Sequence, residues 1–271
     1  LAHTRALTRT YAHTHLAKRR RGVDRVCAGG RWRGRTAPLL RLSRPAKRNA
    51  LNDALVLALR EAFATLPANA RAAVLYGEGE HFCAGLDLSE LQTRDAGEGM
   101  WHSRMWHQAL DAVQFGPVPV IAALHGAVVG GGLELASACH IRVADESSFY
   151  ALPEGTRGIF VGGGGSVRVP KLIGVARMTD MMLTGRVYDA AEGERAGLAQ
   201  YLVPTGTAFA KAMELGARVL TASDSSGTVI DENGFTPAKL AELMDVKNHH
   251  YGRISDYAAR LGLPFQLGMR P

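Results

Sequence analysis

Two glutamates stand beside glycine-rich turns in the middle of the chain. Glu134 follows Gly130-Gly131-Gly132, and Glu154 follows Leu152-Pro153, a few residues ahead of Gly162–Gly165. A pair of carboxylates in different environments can hold one water between them. One takes a proton from the water, and the other exchanges a proton with a substrate. The glycines bear on the same chemistry. A helix N-terminus exposes unpaired backbone N–H groups and a partial positive charge, and glycine lets a ligand oxygen approach them closely. "GGGLELASA" (130–138) and "CAGLDLSEL" (83–91) both read as glycine turns entering helices. N–H groups from two such turns, converging on one oxygen, form an oxyanion hole for charge that develops on a carbonyl, as when a thioester becomes an enolate. Water would then add at the β-carbon, and a proton would go to the α-carbon.

Each feature taken singly is ordinary. The helix dipole favours a glutamate in the first turn, and glycine runs mostly mark turns. The sequence has no Gly-Lys pair, so it has no GxxxxGK[ST] phosphate loop. Nor do its glycine clusters form a strand–GxGxxG–helix unit with a downstream acid, and nucleotide binding is set aside. The three cysteines, Cys27, Cys83 and Cys139, show neither metal spacing nor a disulfide framework. His249 and His250 lack partners at ligand spacing, so no metal site is expected.

The scaffold that must position these groups is legible from hydrophobic pattern. "PLLRLSRP" (38–45) reads as a strand ending at a proline. In "NALNDALVLALREAFATLP" (49–67), Leu51, Leu55, Leu59 and Phe63 recur at helical spacing, with Asn52 or Asp53 as the cap. "AAVLYGEG" (72–79) is a strand, "MWHSRMWHQALDAVQF" (100–115) an amphipathic helix, and "VPVIAALHGAVVGGG" (118–132) a buried strand region ending in glycine. A helix and an apolar edge follow over 133–145, then a strand in "SSFYAL" (147–152), helices over 166–185, and a helix and short strand over 189–203. Strands alternating with helices imply an α/β domain. Beyond about Thr221 the texture turns irregular.

The length of 271 residues and 46% hydrophobic content suffice for one large domain with a sizeable core. No stretch approaches the roughly 18–20 apolar residues of a membrane span. The net charge of +7 is unevenly placed: residues 1–40 hold ten Lys/Arg and one acid, which leaves −2 on the remainder. The basic character belongs to a leader, residues 1–38, expected to be poorly ordered. An Arg-rich, acid-poor start also fits mitochondrial targeting, and "KRRR" (18–21) fits a nucleic-acid contact. With the rest near neutral, nucleic acid is not the expected partner.

"SRPAKRNALN" (43–52), "HFCAGLDLSEL" (81–91), "HGAVVGGGLELASACHIRVAD" (125–145), "YALPEGTRGIFVGGGGSVRVPKLIG" (150–174) and "MMLTGRVYDAAEGERAGLAQYLV" (181–203) together resemble the enoyl-CoA hydratase, or crotonase, family. The resemblance covers about residues 39–218 and implies an α/β, crotonase-like spiral of ββα units that binds acyl-CoA thioesters and self-assembles as trimers or hexamers. It assigns the oxyanion N–H groups to Leu86 and Gly131, the catalytic acids to Glu134 and Glu154, and a water-placing N–H to Gly162. Ala46, Lys47 and Arg48 would line the pantetheine or phosphates of coenzyme A, and Ala84, Asp87 and Leu88 its adenine. No cofactor is implied, since coenzyme A is part of the substrate. A complete pair of acids favours hydration of a 2-enoyl thioester. The family's hydrolases and isomerases are the alternative, and a non-catalytic or RNA-associating scaffold is the alternative of another class. The place implied is the cytoplasm, or the mitochondrial matrix in a eukaryote.

Three departures accompany the resemblance. The "FYALPEGTRGIFVGGGG" run (149–165) lacks the usual Gln-Pro-Glu and is closer to a subgroup associated with (methylthio)acryloyl-CoA hydration and thioester cleavage. The region ahead of "RLSRP" reads as strand-poor rather than as the family's opening hairpin. Residues 219–271 do not look like the family's closing helical segment, and reading-frame departures at both ends fit these abrupt changes. Outside the motifs, His125 and His140 are read as structural, Cys83, Cys139 and the methionines at 178, 181 and 182 as core, Trp101 and Trp106 equally as core or acyl-pocket border, and Tyr150 as a candidate partner of Glu154.

Overall fold

The structure, a computed structural model, describes residues 25–27, 31–32, 35–90, 93, 95–216, 221–224, 227–231, 239, 242–243, 246 and 253–267. Its main sheet has six strands: β1 (Arg25–Cys27), β4 (Leu39–Ser43), β5 (Ala73–Gly77), β6 (Val120–Leu124), β8 (Ile141–Asp145) and β11 (Tyr201–Val203), lying side by side in that order. β4 through β11 run parallel, and β1 pairs antiparallel with β4. A small hairpin, β2 (Arg31–Trp32) with β3 (Arg35–Thr36), precedes β4.

Parallel strands are buried on both faces, which is why they read as continuous apolar runs. Leu40, Leu42, Leu75, Ala122 and Leu124 point into the larger core, and Leu39, Val74, Ile121, Ala123 and Val143 into a second one on the opposite face. The larger core is covered by α1 (Asp53–Ala64), α2 (Ala96–Gln114) and α3 (Gly131–Ala138), and the second by α7 (Ala208–Gly216). α1 starts where the sequence asks: Asn52 Oδ1 accepts the Leu55 N–H at 2.9 Å. Its buried Leu55, Leu59 and Phe63 follow the predicted stripe. Truncating any of them to Ala should cost about 2–5 kcal/mol.

A second sheet carries the functional region. β7 (Ala127–Val129) pairs parallel with β9 (Phe149–Ala151), and β9 pairs antiparallel with β10 (Tyr188–Asp189). Helices α4 (Gly165–Ile173), α5 (Val175–Thr184) and α6 (Ala190–Ala196) fill the predicted helical stretches. Two readings of the sequence differ from the structure. "FCAGLDLSEL" does not enter an α-helix at Leu86. Leu86 forms an isolated parallel bridge with Leu51, and only a short 3-10 turn follows at Leu88–Glu90. The cause is long-range pairing within the chain: Leu51 N–H donates to Gly85 O, and Asp87 N–H to Leu51 O.

The second difference is that the main sheet extends into the segment read as a strand-poor leader, because Arg25–Cys27 pairs with Arg41–Ser43. Three residues among arginines carry too little alternation to announce a strand. Apart from Arg31–Trp32, the rest of 1–34 lies outside the described residues. In the irregular C-terminal part, β12 (Thr221–Asp224), β13 (Gly227–Ile230) and β14 (Phe265–Leu267) form an antiparallel sheet. Helix α8 (Ile254–Leu261) packs there, with Ile254, Tyr257 and Ala258 against Val229. His249 and His250 lie outside the described residues.

Candidate active site

β7 delivers the chain into the glycine turn, and α3 starts at Gly131. Every residue of α3 is buried, so Glu134, one turn in, is carried into the protein interior on an otherwise apolar helix. Its Oε1 accepts two backbone hydrogen bonds, from Gly163 N–H and Gly165 N–H, each at 2.8 Å. These come from the turn that links β9 to α4. Burial pushes the Glu134 carboxyl up to about 7, the nearby Glu154 adds to the rise, and the two N–H donors and Arg168 oppose it.

Glu154 leaves β9 through Leu152-Pro153 and sits at the start of a short 3-10 turn, Gly155–Arg157. It is buried, and its Oε2 has no hydrogen-bond partner among the described residues. Burial raises its pKa above the usual carboxylate value, opposed by a backbone hydrogen bond and by Arg157. Glu134 and Glu154 line one cavity of about 370 Å³. Leu86, Gly131 and Gly162 line the same cavity.

The cavity also collects the two backbone donors. Neither Leu86 N–H nor Gly131 N–H has a partner among the described residues. The turns that bear them touch: a β-carbon on Gly85 would lie 3.3 Å from Gly131 N and 2.8 Å from Val129 O. Gly85 itself has φ +94, a region L side chains avoid. The Gly131 donor adds the dipole of α3; Leu86 supplies its N–H from extended chain. α2 contributes His102, Ser103 and Trp106 to the cavity lining, and Ile159 and Phe160 line it as well. Ser103 Oγ donates to Gly162 O at 3.0 Å, and His102 Nε2 lies 2.8 Å from Asp53 Oδ1.

The predicted coenzyme A segments run side by side, joined by Ala84 N–H donating to Arg48 O at 3.0 Å. Ala46, Lys47 and Arg48 are exposed on a 3-10 turn, with Arg48 and Asn49 in positive-φ conformations. Asn49 secures that turn, accepting from Arg44 N–H and donating to Glu78 O and His81 O. Leu88 is exposed and Ala84 half-buried. Asp87 is buried and already engaged: it accepts from Ser89 Oγ at 2.6 Å and Arg44 Nη2 at 2.9 Å, and the Ser89 bond, then Arg44, hold its carboxyl down at about 2. These residues border none of the cavity that holds the two acids.

Among the remaining candidates, Trp106 borders the cavity while Trp101 is exposed. Tyr150 is fully buried and makes no hydrogen bond to Glu154. His140 is partly buried, and its Nδ1 accepts from Val120 N–H. The sequence reading missed Arg168. It is buried behind the Gly162–Gly165 turn, where Nη1 donates to Gly163 O at 2.8 Å and Nε to Gln114 Oε1 at 2.6 Å, with Asp111 on Nη2. A signal was present. On α4 the buried positions are Gly165, Arg168, Val169 and Ile173, so Arg168 occupies the face where an apolar residue is expected. No group of three or more His, Cys, Asp or Glu suited to a metal ion occurs among the described residues, and none of their helices is long and apolar enough to cross a membrane.

Comparison with known proteins agrees with this architecture. The chain matches the model of the enoyl-CoA hydratase/isomerase family over residues 35–248. It is 40% identical over 166 residues to enoyl-CoA hydratase domain-containing protein 2, mitochondrial, of Bos taurus, covering 60% of this chain and 56% of that protein. It is 39% identical over 145 residues to the fatty acid oxidation complex subunit alpha of Shewanella loihica, covering 52% of this chain and 20% of that protein. The chain thus spans little more than half of the bovine relative's length and a fifth of the bacterial one. Among solved structures, a Rhodopseudomonas palustris protein provisionally described as an enoyl-CoA hydratase is 63% identical with TM-score 0.66, covering 68% of this chain and 71% of that one. The enoyl-CoA hydratase of Bacillus anthracis is 30% identical with TM-score 0.71, covering 87% and 88%. The chain has the crotonase fold and belongs to the enoyl-CoA hydratase/isomerase family.

Proposed function

We propose that this protein is a hydro-lyase that adds water across the 2,3 double bond of an acyl-CoA thioester. The observation that carries the reading is the meeting of Glu134, Glu154, Leu86 and Gly131 on one cavity. The thioester oxygen sits between the Leu86 and Gly131 N–H groups, which stabilise the enolate as it forms. Glu134 is the base. Two N–H donors support its negative charge, and its Oε2 is left for a water. Glu154 is the acid, because a buried oxygen without a partner suits a protonated carboxyl. Water oxygen bonds to the β-carbon and loses a proton to Glu134, while Glu154 delivers a proton to the α-carbon. Transfer of the proton from Glu134 to Glu154 restores the pair. Gly162, which lines the same cavity, helps orient the water through its N–H. Ala46, Lys47, Arg48, Ala84, Asp87 and Leu88 form the coenzyme A side of the site, with Lys47 and Arg48 facing phosphate and Asp87 acting through the Arg44 pair that shapes its loop. The reaction transfers no electrons and needs no further cofactor.

Crotonyl-CoA tests the reading. Loss of the enoyl absorbance without free thiol is hydration. Release of thiol would make the protein a hydrolase, and migration of the double bond an isomerase. Binding without turnover would make it a scaffold. (Methylthio)acryloyl-CoA, assayed in parallel, tests the subgroup suggested by the loop around Glu154.

A further inference from the structure

We propose that Arg168 is a positioning residue for Glu134. Its guanidinium holds the Gly162–Gly165 turn from the carbonyl side, so that two N–H groups of that turn meet one oxygen of Glu134 and leave the other oxygen for water. The inference rests on the hydratase reading for its kinetic arm only.

The same residue, Gly163, is held on both sides. Its N–H donates to Glu134 Oε1, and its C=O accepts from Arg168 Nη1, each at 2.8 Å. Arg168 is in turn braced against α2 through Gln114 and Asp111. A planar guanidinium with several fixed donors suits this three-way bracing, which a lysine ammonium cannot reproduce. The turn is shaped around it. Gly164 has φ +95, and a β-carbon there would lie 2.4 Å from Arg168 Nη1. Glu134 and Arg168 also influence each other's protonation in the direction expected for opposite charges.

The charged and titratable groups facing this unit are few. Glu154 lies across the cavity, Asp111 pairs with Arg168, and His107 on α2 comes within 3.1 Å of where a Gly164 β-carbon would stand. Arg168 thus supplies a positive charge on the turn side of Glu134. Loss of the Arg168 charge raises the Glu134 midpoint by itself, so positioning is read from kcat and from variants that keep the charge.

The full chain with Arg168→Met and Arg168→Lys provides the test. Glu134 is titrated through its carboxyl infrared band, identified by difference against Glu134→Gln, and turnover of crotonyl-CoA is measured alongside. In Arg168→Met the Glu134 midpoint should move upward. kcat should fall on the order of 10²-fold, as expected for a displaced catalytic group, with KM within about twofold. Arg168→Lys should fall between Met and the unmodified chain. A folded Arg168→Met with unchanged kcat overturns the proposal. Should Arg168→Met fail to fold, the Asp111→Asn/Gln114→Leu pair frees the guanidinium from α2 while keeping its charge. A lower kcat or a shifted Glu134 midpoint then supports the proposal, and neither change overturns it. Absence of turnover in the unmodified chain defeats the hydratase reading alone, because the Glu134 midpoint in the charge-keeping Asp111→Asn/Gln114→Leu pair still decides the role of Arg168.

Discussion

A β-carbon on Gly130 would stand 2.7 Å from Oε1 of Glu154. The residue that opens the glycine turn before α3 therefore also defines the space in which the second carboxylate stands. Gly130 has φ 53 and ψ −123, a combination that only glycine adopts readily. Gly130→Ala should cost about 1–3 kcal/mol in strain and push Glu154 from its place. Urea unfolding should report the stability loss, and crotonyl-CoA turnover should fall further than the stability loss explains.

Substituting the acids separates chemistry from binding. Glu134→Gln keeps an oxygen for the Gly163 and Gly165 donors, and Glu154→Gln relieves a buried carboxyl that lacks a partner at Oε2. Both variants should remain folded and bind an acyl-CoA product with unchanged affinity in calorimetry. Each should lose about 10²–10⁴-fold in kcat. Unimpaired turnover in either variant would remove that residue from the mechanism.

Glu134 also links stability to pH. Its carboxyl is pushed up from the ordinary 4.5 to about 7, chiefly by burial. Between those values the folded chain holds a proton that the unfolded chain has lost. Unfolding free energy should therefore fall as pH rises through this window, by about 3 kcal/mol, and level off above it. Glu154, raised in the same direction, adds to the slope. Glu134→Gln should flatten the pH dependence of the urea midpoint between pH ~5 and ~8. Turnover should rise across the same window as the Glu134 base form appears.

Gly99 tests where the acyl chain of the proposed substrate lies. It lies within α2 and borders the cavity, and a β-carbon added there would meet nothing within 4 Å. Gly99→Ala should stabilise the helix by up to about 1 kcal/mol. Gly99→Leu should fill part of the cavity without disturbing Glu134 or Glu154. Comparison of crotonyl-CoA with a ten-carbon enoyl-CoA should then show kcat/KM falling for the longer substrate by on the order of tenfold more than for the shorter. Equal losses on both would place the acyl chain elsewhere.

Much of the site is readable in the chain before folding. The helix capped by Asn52, the apolar runs of β5 and β6, and the glutamates flanked by glycines follow from local pattern. Those glutamates, with Leu86, Gly131 and Gly162, meet on one cavity in the structure. Leu86 could be read as a candidate donor but not in its true setting, because the bridge to Leu51 is a pairing across 35 positions that no local period reports. β1 escaped for the same reason, since three residues among arginines become a strand only through β4.

Arg168 marks the limit most clearly. In the sequence its one signal is a basic residue on the apolar face of an amphipathic helix, which does not say what it holds. Its burial is decided by Gln114 and Asp111, 54 and 57 positions earlier on α2, and by the carbonyl of Gly163. Residue type and spacing determined which groups can carry charge, turn the chain or donate a proton, because those are properties of single residues and short periods. Tertiary structure alone decided which of those groups share one enclosed volume and which oxygen of Glu134 is left unbound, because burial and long-range hydrogen bonds exist only once distant segments pack.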